Sequence, residues 1–344
     1  MAERPFILGC RGPTLSDWER GFFAEADPHG FILFKRNCET SEQVAALTGA
    51  LLDCVGRPDA PVLVDQEGGR VQRLGPPHWH AMPAAGRFGK LAARDAEAGR
   101  EAVALNARLL GDELTTCGIT ADCVPVLDLS TPETHEAIGD RAFGSEPALV
   151  AELGRALHDG LLASGVLPII KHMPGHGRAS VDSHLELPRV SASLAELEAS
   201  DFAPFRALAD APWAMTAHIV FEAVDPERPA TVSPRLIEEV IRGFIGFDGV
   251  IVSDDLSMEA LSGSPSERAQ ASLAAGCDLV LHCNGEPEEM TELAEGVGEI
   301  SAMSAERLAR AAAKVPAAPA RLGADERQDM QARRDALLCQ AAAA

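Results

Sequence analysis

The sequence predicts a single (β/α)8 barrel, in which eight parallel strands close on themselves inside a ring of helices. Three observations predict this fold: short apolar runs recur along the whole chain, longer amphipathic segments separate them, and polar residues gather where the runs end. The 344 residues would also suffice for two average domains, but α/β barrels of this length often form one, so the strand pattern decides.

The apolar runs are the predicted strands. They lie at residues 6–10, 30–34, 61–65, 119–127, 166–171, 213–218, 249–253 and 277–282. They are apolar almost throughout, as expected when the barrel interior lies on one side and helices on the other. An open doubly wound sheet would give the same succession of elements. The barrel is preferred because no G-x-G-x-x-G segment follows the first strand and no Walker loop is present.

The segments between the strands have helical periodicity. The clearest are SEQVAALTGALLDCV, EAGREAVALNARLLGDELTTCG, PALVAELGRALHDGLLASG, SLAELEASDFAPFRAL, SPRLIEEVIRGF and SERAQASLAAG. Three glycines directly precede strands, where a left-handed residue that ends a helix is favoured: Gly118, Gly165 and Gly276. Three serines suit the N-cap positions at which helices begin: Ser41, Ser193 and Ser233.

The C-terminal part of the chain differs in composition. After Gly298 it becomes rich in alanine, arginine and glutamine, and it predicts one or two further helices. We assign residues 1–315 to the barrel domain and residues 316–344 to a C-terminal Ala/Arg-rich helical extension or tail. We assign no chemistry to this last part.

The charge of the chain excludes two classes of partner. A formal net charge of −22 opposes both nucleic acids and anionic lipid surfaces. No window approaches the roughly 20 apolar residues that span a bilayer, and no export signal is visible, so we expect a cytoplasmic protein. Its expected partner is a small molecule, and an anionic one would need local arginines and lysines to reverse the field. The oligomeric state is left open by the sequence, with a monomer as the expectation.

The cysteines predict no disulfide framework. The eight residues form no C-x-x-C pair, and several lie in apolar runs such as FILGC and CDLVLHC. A chain with a core of this size does not need disulfides, so we expect buried, reduced thiols.

The segment KHMPGHGRASVDSH is the richest in chemistry among those that follow the strands. Pro174 and Gly175 prevent a regular helix, so a specially shaped loop is expected. Asp182 and His184 can meet if this loop turns between them. A carboxylate bound to one imidazole nitrogen would raise the pKa of the histidine and fix its tautomer, which makes a general acid/base.

Two other interpretations of this loop remain open. Its histidines would in one of them only hydrogen-bond the backbone. In the other, four side chains would bind zinc: His172, His176, Asp182 and His184. No H-x-H or H-E-x-x-H pattern on a regular element supports the second interpretation, so no metal or other cofactor is expected.

Paired acids follow the seventh predicted strand in VIVSDDLSM. One of Asp254 and Asp255 must point toward the barrel mouth and the other away, and periodicity does not choose between them. A carboxylate at a barrel mouth can attack an anomeric carbon as the nucleophile of a retaining glycosidase. The alternative is a solvated acidic turn that caps the next helix.

The third predicted strand ends in VDQEGGRVQRL. Asp65 would accept hydrogen bonds from sugar hydroxyls, while Arg70 and Arg73 would supply forked donors for carboxylate or acyl oxygens. These arginines also supply the local positive charge that an anionic substrate would need. A surface loop of ion pairs is the alternative.

Taken together, these segments resemble glycoside hydrolase family 3, and within it the single-domain bacterial β-N-acetylglucosaminidases (β-hexosaminidases). The resemblance runs from the first strand to about Gly285. Its strongest parts are FILFKRN, VDQEGGRVQRL, IGDRAFG, KHMPGHG followed by DSH, MTAHIVF and SDDLSM. Met173 departs from the phenylalanine or aliphatic residue that is commoner at its position.

The resemblance implies a role for each matching residue. Asp254 would be the nucleophile, His184 the general acid/base, and Asp182 the residue that orients it. Five residues would hold the N-acetylglucosamine ring: Asp65, Arg73, Arg141, Lys171 and His172. The family also implies removal of β-linked N-acetylglucosamine from anhydro-muropeptides during recycling of the cell wall. Three rivals stay open: a phosphorylase of the same fold, a zinc hydrolase and a non-catalytic sugar-binding barrel.

Overall fold

A computed structural model of the chain describes residues 3–131, 134–179, 181 and 186–340. Eight parallel strands form a closed barrel: β1 (Arg4–Gly9), β2 (Pro28–Leu33), β3 (Val62–Val64), β4 (Ala121–Asp122), β5 (Leu167–Met173), β6 (Trp213–Thr216), β7 (Val250–Asp255) and β8 (Leu279–His282). Each strand pairs with the next along the chain, and β8 pairs with β1. The predicted barrel is confirmed, and this closure excludes the open sheet.

Helices surround the barrel. They are α1 (Asp17–Ala26), α2 (Ser41–Val55), α3 (Ala85–Ala92), α4 (Ala96–Thr116), α5 (Pro147–Ala163), α6 (Leu194–Ala199), α7 (Ala203–Ala207), α8 (Pro265–Ala275), α9 (Pro287–Gly296), α10 (Ala302–Ala312) and α11 (Ala324–Gln340), with a π-helix at Leu236–Phe244. Short 3₁₀ turns lie at Lys35–Asn37, Gly139–Arg141 and Ala230–Val232. Two small sheets lie outside the barrel: Gln66–Gly68 with Val71–Gln72, and Arg189–Val190 with Val220–Phe221.

The predicted helix ends are confirmed with one exception. The three glycines before strands have positive φ: Gly118 at 73°, Gly165 at 74° and Gly276 at 116°. Ser193 forms a capping box with Glu196 at the start of α6, and the Ser233 hydroxyl accepts from the Leu236 amide. The prediction for Ser41 was wrong. Thr40 is extended and its hydroxyl accepts from the Gln43 amide, so Ser41 is already helical.

The strands are buried on both faces. Ile7, Ile32 and Leu63 belong to one buried cluster inside the barrel, whereas Phe6 and Phe31, one position away, belong to the layer between strands and helices. This double burial explains why the strands are apolar throughout.

The C-terminal helix α11 packs against α4 and α3. The Leu322 amide donates to Asp112 Oδ1 at 2.9 Å, and Arg327 pairs with the same carboxylate. The division of the chain at residue 315 stays a prediction, but the helix beyond it is anchored to the barrel.

All eight cysteines lie among the described residues and are free thiols. Seven of them are buried or partly buried, whereas Cys339 is exposed, so the prediction of burial was wrong for that residue. Among the described residues, no helix has both the length and the apolar composition needed to cross a membrane.

Candidate active site

A cavity of about 300 Å³ lies at the carboxyl ends of the barrel strands, where barrel enzymes carry their active sites. Six of the predicted site residues line it: Asp65, Arg73, Arg141, Lys171, His172 and Asp254. Asp182 and His184 lie outside the described residues. The structure therefore brings together every predicted site residue that it describes.

A hairpin directly after β3 forms one wall of the cavity. Its turn depends on two glycines, Gly68 at φ 94° and Gly69 at φ 61°. A Cβ at Gly68 would lie 2.4 Å from the carbonyl oxygen of Pro83, so only glycine fits there. The hairpin thereby turns Arg70 and Arg73 back toward the cavity that Asp65 also lines.

Buried charges hold this wall together. Lys171 Nζ donates to Asp65 Oδ1 at 2.7 Å and lies 2.7 Å from Glu67 Oε1. Arg73 Nη2 donates to the second oxygen of Asp65 at 3.0 Å. Arg141 binds Glu67 in bidentate fashion, with Nε at 2.7 Å and Nη2 at 2.8 Å from its two oxygens. Three cations thus face two carboxylates, which reverses the acidic field of the protein at this wall.

The same contacts fix the ionisation of both acids. Burial alone would raise the pKa of Asp65, but Lys171 and Arg73 hold it well below its ordinary value. Burial also opposes ionisation of Glu67, yet Lys171 and Arg141 lower its pKa to about 2. Both groups are therefore charged acceptors at neutral pH.

Asp128 orients the histidine of the site. His172 Nδ1 lies 2.7 Å from Asp128 Oδ2, and the other oxygen accepts from the His172 and His176 amides at 3.2 and 2.7 Å. Burial opposes the charge, but the two histidines and their hydrogen bonds keep the pKa of Asp128 below its ordinary value. Because Nδ1 is bound, Nε2 is the His172 ring nitrogen left for a ligand.

The paired acids at the end of β7 have different surroundings, although both line the cavity. The Asp255 carboxylate accepts from Ser257 N at 3.0 Å, Ser257 Oγ at 2.6 Å and Cys283 N at 3.1 Å. Asp255 thus builds a turn at the end of β7, but this turn does not cap the next helix as the alternative required, because Ser264 caps α8. Asp254 Oδ1 accepts from the Asp255 amide at 2.8 Å. Which of the two acids reacts stays a prediction, with Asp254 as the expected nucleophile.

Sequence reasoning missed two residues of the site, Glu67 and Asp128. Glu67 lies two positions after Asp65, a spacing that places both on one side of an extended chain. Asp128 follows the apolar run PVL, so the same search for strand-end acids would have found it. Arg70, by contrast, fits the surface alternative in part, because it forms an exposed ion pair with Asp140 at 3.3 Å while also lining the cavity.

The zinc interpretation gains no support from the part of the chain that the structure describes. No group of three or more histidine, cysteine, aspartate or glutamate side chains is placed there to hold a metal ion. Two of the four predicted ligands, Asp182 and His184, fall outside that part. Of the other two, His172 binds Asp128 through Nδ1.

A further acid, Asp122, lies behind the hairpin. Its Oδ1 accepts from the Gln66 amide at 2.9 Å, and its Oδ2 is buried without a hydrogen-bond partner among the described residues. Burial raises the pKa of Asp122 to about 8, which the Gln66 hydrogen bond and Lys171 only partly offset. The carboxyl is therefore protonated in the folded protein at neutral pH.

Asp122→Asn should stabilise the protein at neutral pH. The unfolded carboxyl loses its proton at about pH 4, whereas the folded one keeps it to about pH 8. Wild-type stability from this group therefore falls as the pH rises between those values, and the amide avoids that loss. Thermal unfolding of both proteins from pH 4.5 to 8.5 should show a melting-temperature gap that widens with pH. A gap that is absent or constant would contradict the assignment, and Asp53→Asn, at an exposed position of α2, is the control.

The chain matches known proteins over nearly its whole length. Residues 20–317 match the model of the glycosyl hydrolase family 3 N terminal domain. A beta-hexosaminidase of Alkalilimnicola ehrlichii is 40% identical over 314 residues, which cover 90% of this chain and 89% of the relative. The crystal structure of NagZ from Neisseria gonorrhoeae in complex with N-trifluoroacetyl-D-glucosamine superimposes with a TM-score of 0.85 and 35% identity, covering 99% of both chains. A family 3 beta-N-acetylglucosaminidase from Paenibacillus sp. str. FPU-7 gives a TM-score of 0.85 and 32% identity, over 97% of this chain and 67% of that one.

Proposed function

The chain belongs to glycosyl hydrolase family 3 as a β-N-acetylhexosaminidase, and we propose that it is a retaining enzyme that removes terminal β-linked N-acetylglucosamine from peptidoglycan fragments. The fragments are GlcNAc-anhydro-muropeptides, and the role is recycling of the cell wall in the cytoplasm. The observation that carries the proposal is the shared cavity, in which Asp254 at the end of β7 is enclosed with the ionised wall of Asp65, Arg73 and Lys171.

The cavity suits one sugar ring. Its volume of about 300 Å³ is at the small end of ligand sites, which points to a monosaccharide unit with the rest of the substrate outside. Asp65 retains acceptor capacity for sugar hydroxyls because each carboxylate oxygen has two lone pairs. Lys171, Arg141 and His172 supply donors for hydroxyl and acyl oxygens. The similar NagZ structure holds an N-acylated glucosamine, which supports an N-acetyl sugar as the unit bound here.

The reaction proceeds in two steps. Asp254 attacks C1 of the sugar while His184, oriented by Asp182, protonates the departing oxygen, and a glycosyl ester forms as the aglycone leaves. His184 then takes a proton from water, whose oxygen attacks C1 and releases Asp254. The ring is cationic in both transition states, so the Asp254 carboxylate stabilises them electrostatically.

An assay of the wild-type protein tests this proposal. Incubation with an aryl β-N-acetylglucosaminide in phosphate-free buffer should release the aryl group, and proton NMR should detect the β-anomer of N-acetylglucosamine first. Release of the α-anomer first would overturn the retaining mechanism. A requirement for phosphate, with formation of N-acetylglucosamine 1-phosphate, would make the protein a phosphorylase. Hydrolysis of the aryl substrate without cleavage of a GlcNAc-anhydro-muropeptide would overturn the proposed substrate.

His184→Ala should reduce activity by an amount that depends on the leaving group. A dinitrophenyl aglycone departs without protonation, whereas a sugar alcohol needs a proton, and general acid catalysis contributes about 10² to 10⁴-fold. We expect a loss of that size on natural disaccharide fragments and a much smaller loss in the first step with the aryl substrate. The measurement is kcat/KM on both substrates. Equal losses would contradict the acid role of His184.

A further inference from the structure

The C-terminal helix α11 contains an arginine that is buried. Arg334 is only 3% exposed, although arginine is among the residues least often buried. Its Nη1 donates to Asn106 Oδ1 of α4 at 3.0 Å and lies 3.4 Å from the sulfur of Met82. Its neighbour Asp335 supplies the counter-charge, with Oδ1 at 2.9 Å. The guanidinium therefore fixes Met82 relative to two helices of the outer ring.

Met82 belongs to a segment that packs against the hairpin directly after β3. The Met82 amide donates to Gln72 Oε1 at 2.9 Å, and its carbonyl accepts from the Gly69 amide at 2.8 Å. Both partners lie in the hairpin that follows Asp65. Met82 itself is buried, with 3% of its surface exposed, so it is enclosed by its neighbours.

The contact between this segment and the hairpin is tight. A Cβ at Gly68 would lie 2.4 Å from Pro83 O and 3.1 Å from Met82 O, so the two backbones touch without an intervening side chain. Gln66, at the start of the hairpin, is hydrogen-bonded to the residues that follow its second strand. Its Oε1 accepts from the Arg73 and Leu74 amides at 2.9 and 3.0 Å. A displacement of Met82 is therefore passed on to Arg73.

We propose that Arg334 is a positioning residue for sugar binding, which acts through Met82 on the hairpin that carries Glu67 and Arg73. The C-terminal helix is in this view part of the substrate-binding wall, although it contributes no atom to the cavity. The choice of substrate for the test rests on the proposed function.

The test is Arg334→Met, which keeps an unbranched apolar stem and removes the guanidinium with its donors. We expect KM for the aryl β-N-acetylglucosaminide to rise about 10-fold while kcat changes less than about 3-fold, because the hairpin binds the sugar in ground and transition states alike. The dissociation constant of N-acetylglucosamine, measured by calorimetry, should rise by the same factor. A purely structural role would instead reduce the amount of folded enzyme, which lowers apparent kcat and leaves KM and the dissociation constant unchanged.

The neighbouring Arg333 gives a matched control. Its side chain is 68% exposed and pairs with Glu101, so Arg333→Met should change KM less than about 2-fold. If Arg334→Met does not fold, Arg334→Lys keeps the charge and a single donor nitrogen, and its KM should rise about 3-fold. Unchanged KM and sugar affinity in a folded variant at position 334 would overturn the proposal. If the wild type does not cleave the substrate, the proposed function fails, and the calorimetric comparison still decides the role of Arg334.

Discussion

Asp254→Asn should lower kcat by about 10³-fold or more without unfolding the protein. The amide has almost the same shape, but it cannot form the glycosyl ester and carries no charge to stabilise the cationic ring. Asp254 Oδ1 accepts a hydrogen bond from the next amide in the turn, which the asparagine oxygen can also accept. Steady-state kinetics with the aryl substrate and a melting curve measure the two effects separately.

The adjacent acid provides the contrast. Asp255→Asn weakens the hydrogen bonds that the carboxylate accepts from Ser257 and Cys283. Its main effect should therefore be a lower melting temperature. A 2-fluoro sugar that traps the covalent intermediate, followed by peptide mapping, should place the label on Asp254. A label on Asp255, or near-normal activity of Asp254→Asn, would contradict the assignment of the nucleophile.

The barrel could be predicted because each of its strands is buried on both faces. Such a strand forms a continuous apolar run, and eight runs separated by helical segments leave few other arrangements. The bounds of the individual strands were less predictable. The fourth strand was expected at residues 119–127 but ends at Asp122, because Pro125 lacks an amide hydrogen for the ladder. Pairing resumes only as an isolated bridge between Val126 and Lys171.

The site could be predicted where chemistry follows directly from the end of a strand. Asp65, Lys171 and Asp254 were found in this way, and all three line one cavity. Glu67 was missed because its role depends on Arg141, which lies 74 positions away and reaches it only in the folded chain. The spacing of Glu67 from Asp65 indicates that both side chains lie on the same side of the chain, but it does not indicate which residue binds Glu67.

The packing of the C-terminal helix could not be predicted from composition, for a similar reason. An Ala/Arg-rich segment predicts a solvated helix, and nothing local marks Arg334 as an arginine that the fold buries against α4. Burial of a charge depends on an acceptor elsewhere, here Asn106, that compensates for lost water.

Glu67→Gln should lower both stability and activity by large amounts. The Glu67 and Lys171 side chains are 4% and 2% exposed, so loss of the carboxylate leaves Arg141 without its carboxylate partner and Lys171 with Asp65 alone. Breaking such a pair costs about 3 to 5 kcal/mol of unfolding free energy. Because Arg141 also loses the carboxylate that aims it into the cavity, and Lys171 loses one of its two carboxylate partners, kcat/KM should fall about 10²-fold. Urea unfolding and steady-state kinetics measure these two losses.

The pH dependence separates this charge effect from a packing effect. The pKa of Glu67 is lowered to about 2 in the folded protein, against 4.5 for the ordinary group, so its stabilisation is complete above the ordinary value and is lost as pH falls toward 2. The difference in stability between wild type and Glu67→Gln should therefore be full at pH 7 and smaller at pH 3. Asp140→Asn is the matched control, since its exposed pair with Arg70 contributes less than about 1 kcal/mol. The proposed role of the buried charges would be wrong in either of two cases. In one, Glu67→Gln lowers the free energy of unfolding no more than this control does. In the other, its loss of stability is the same at both pH values.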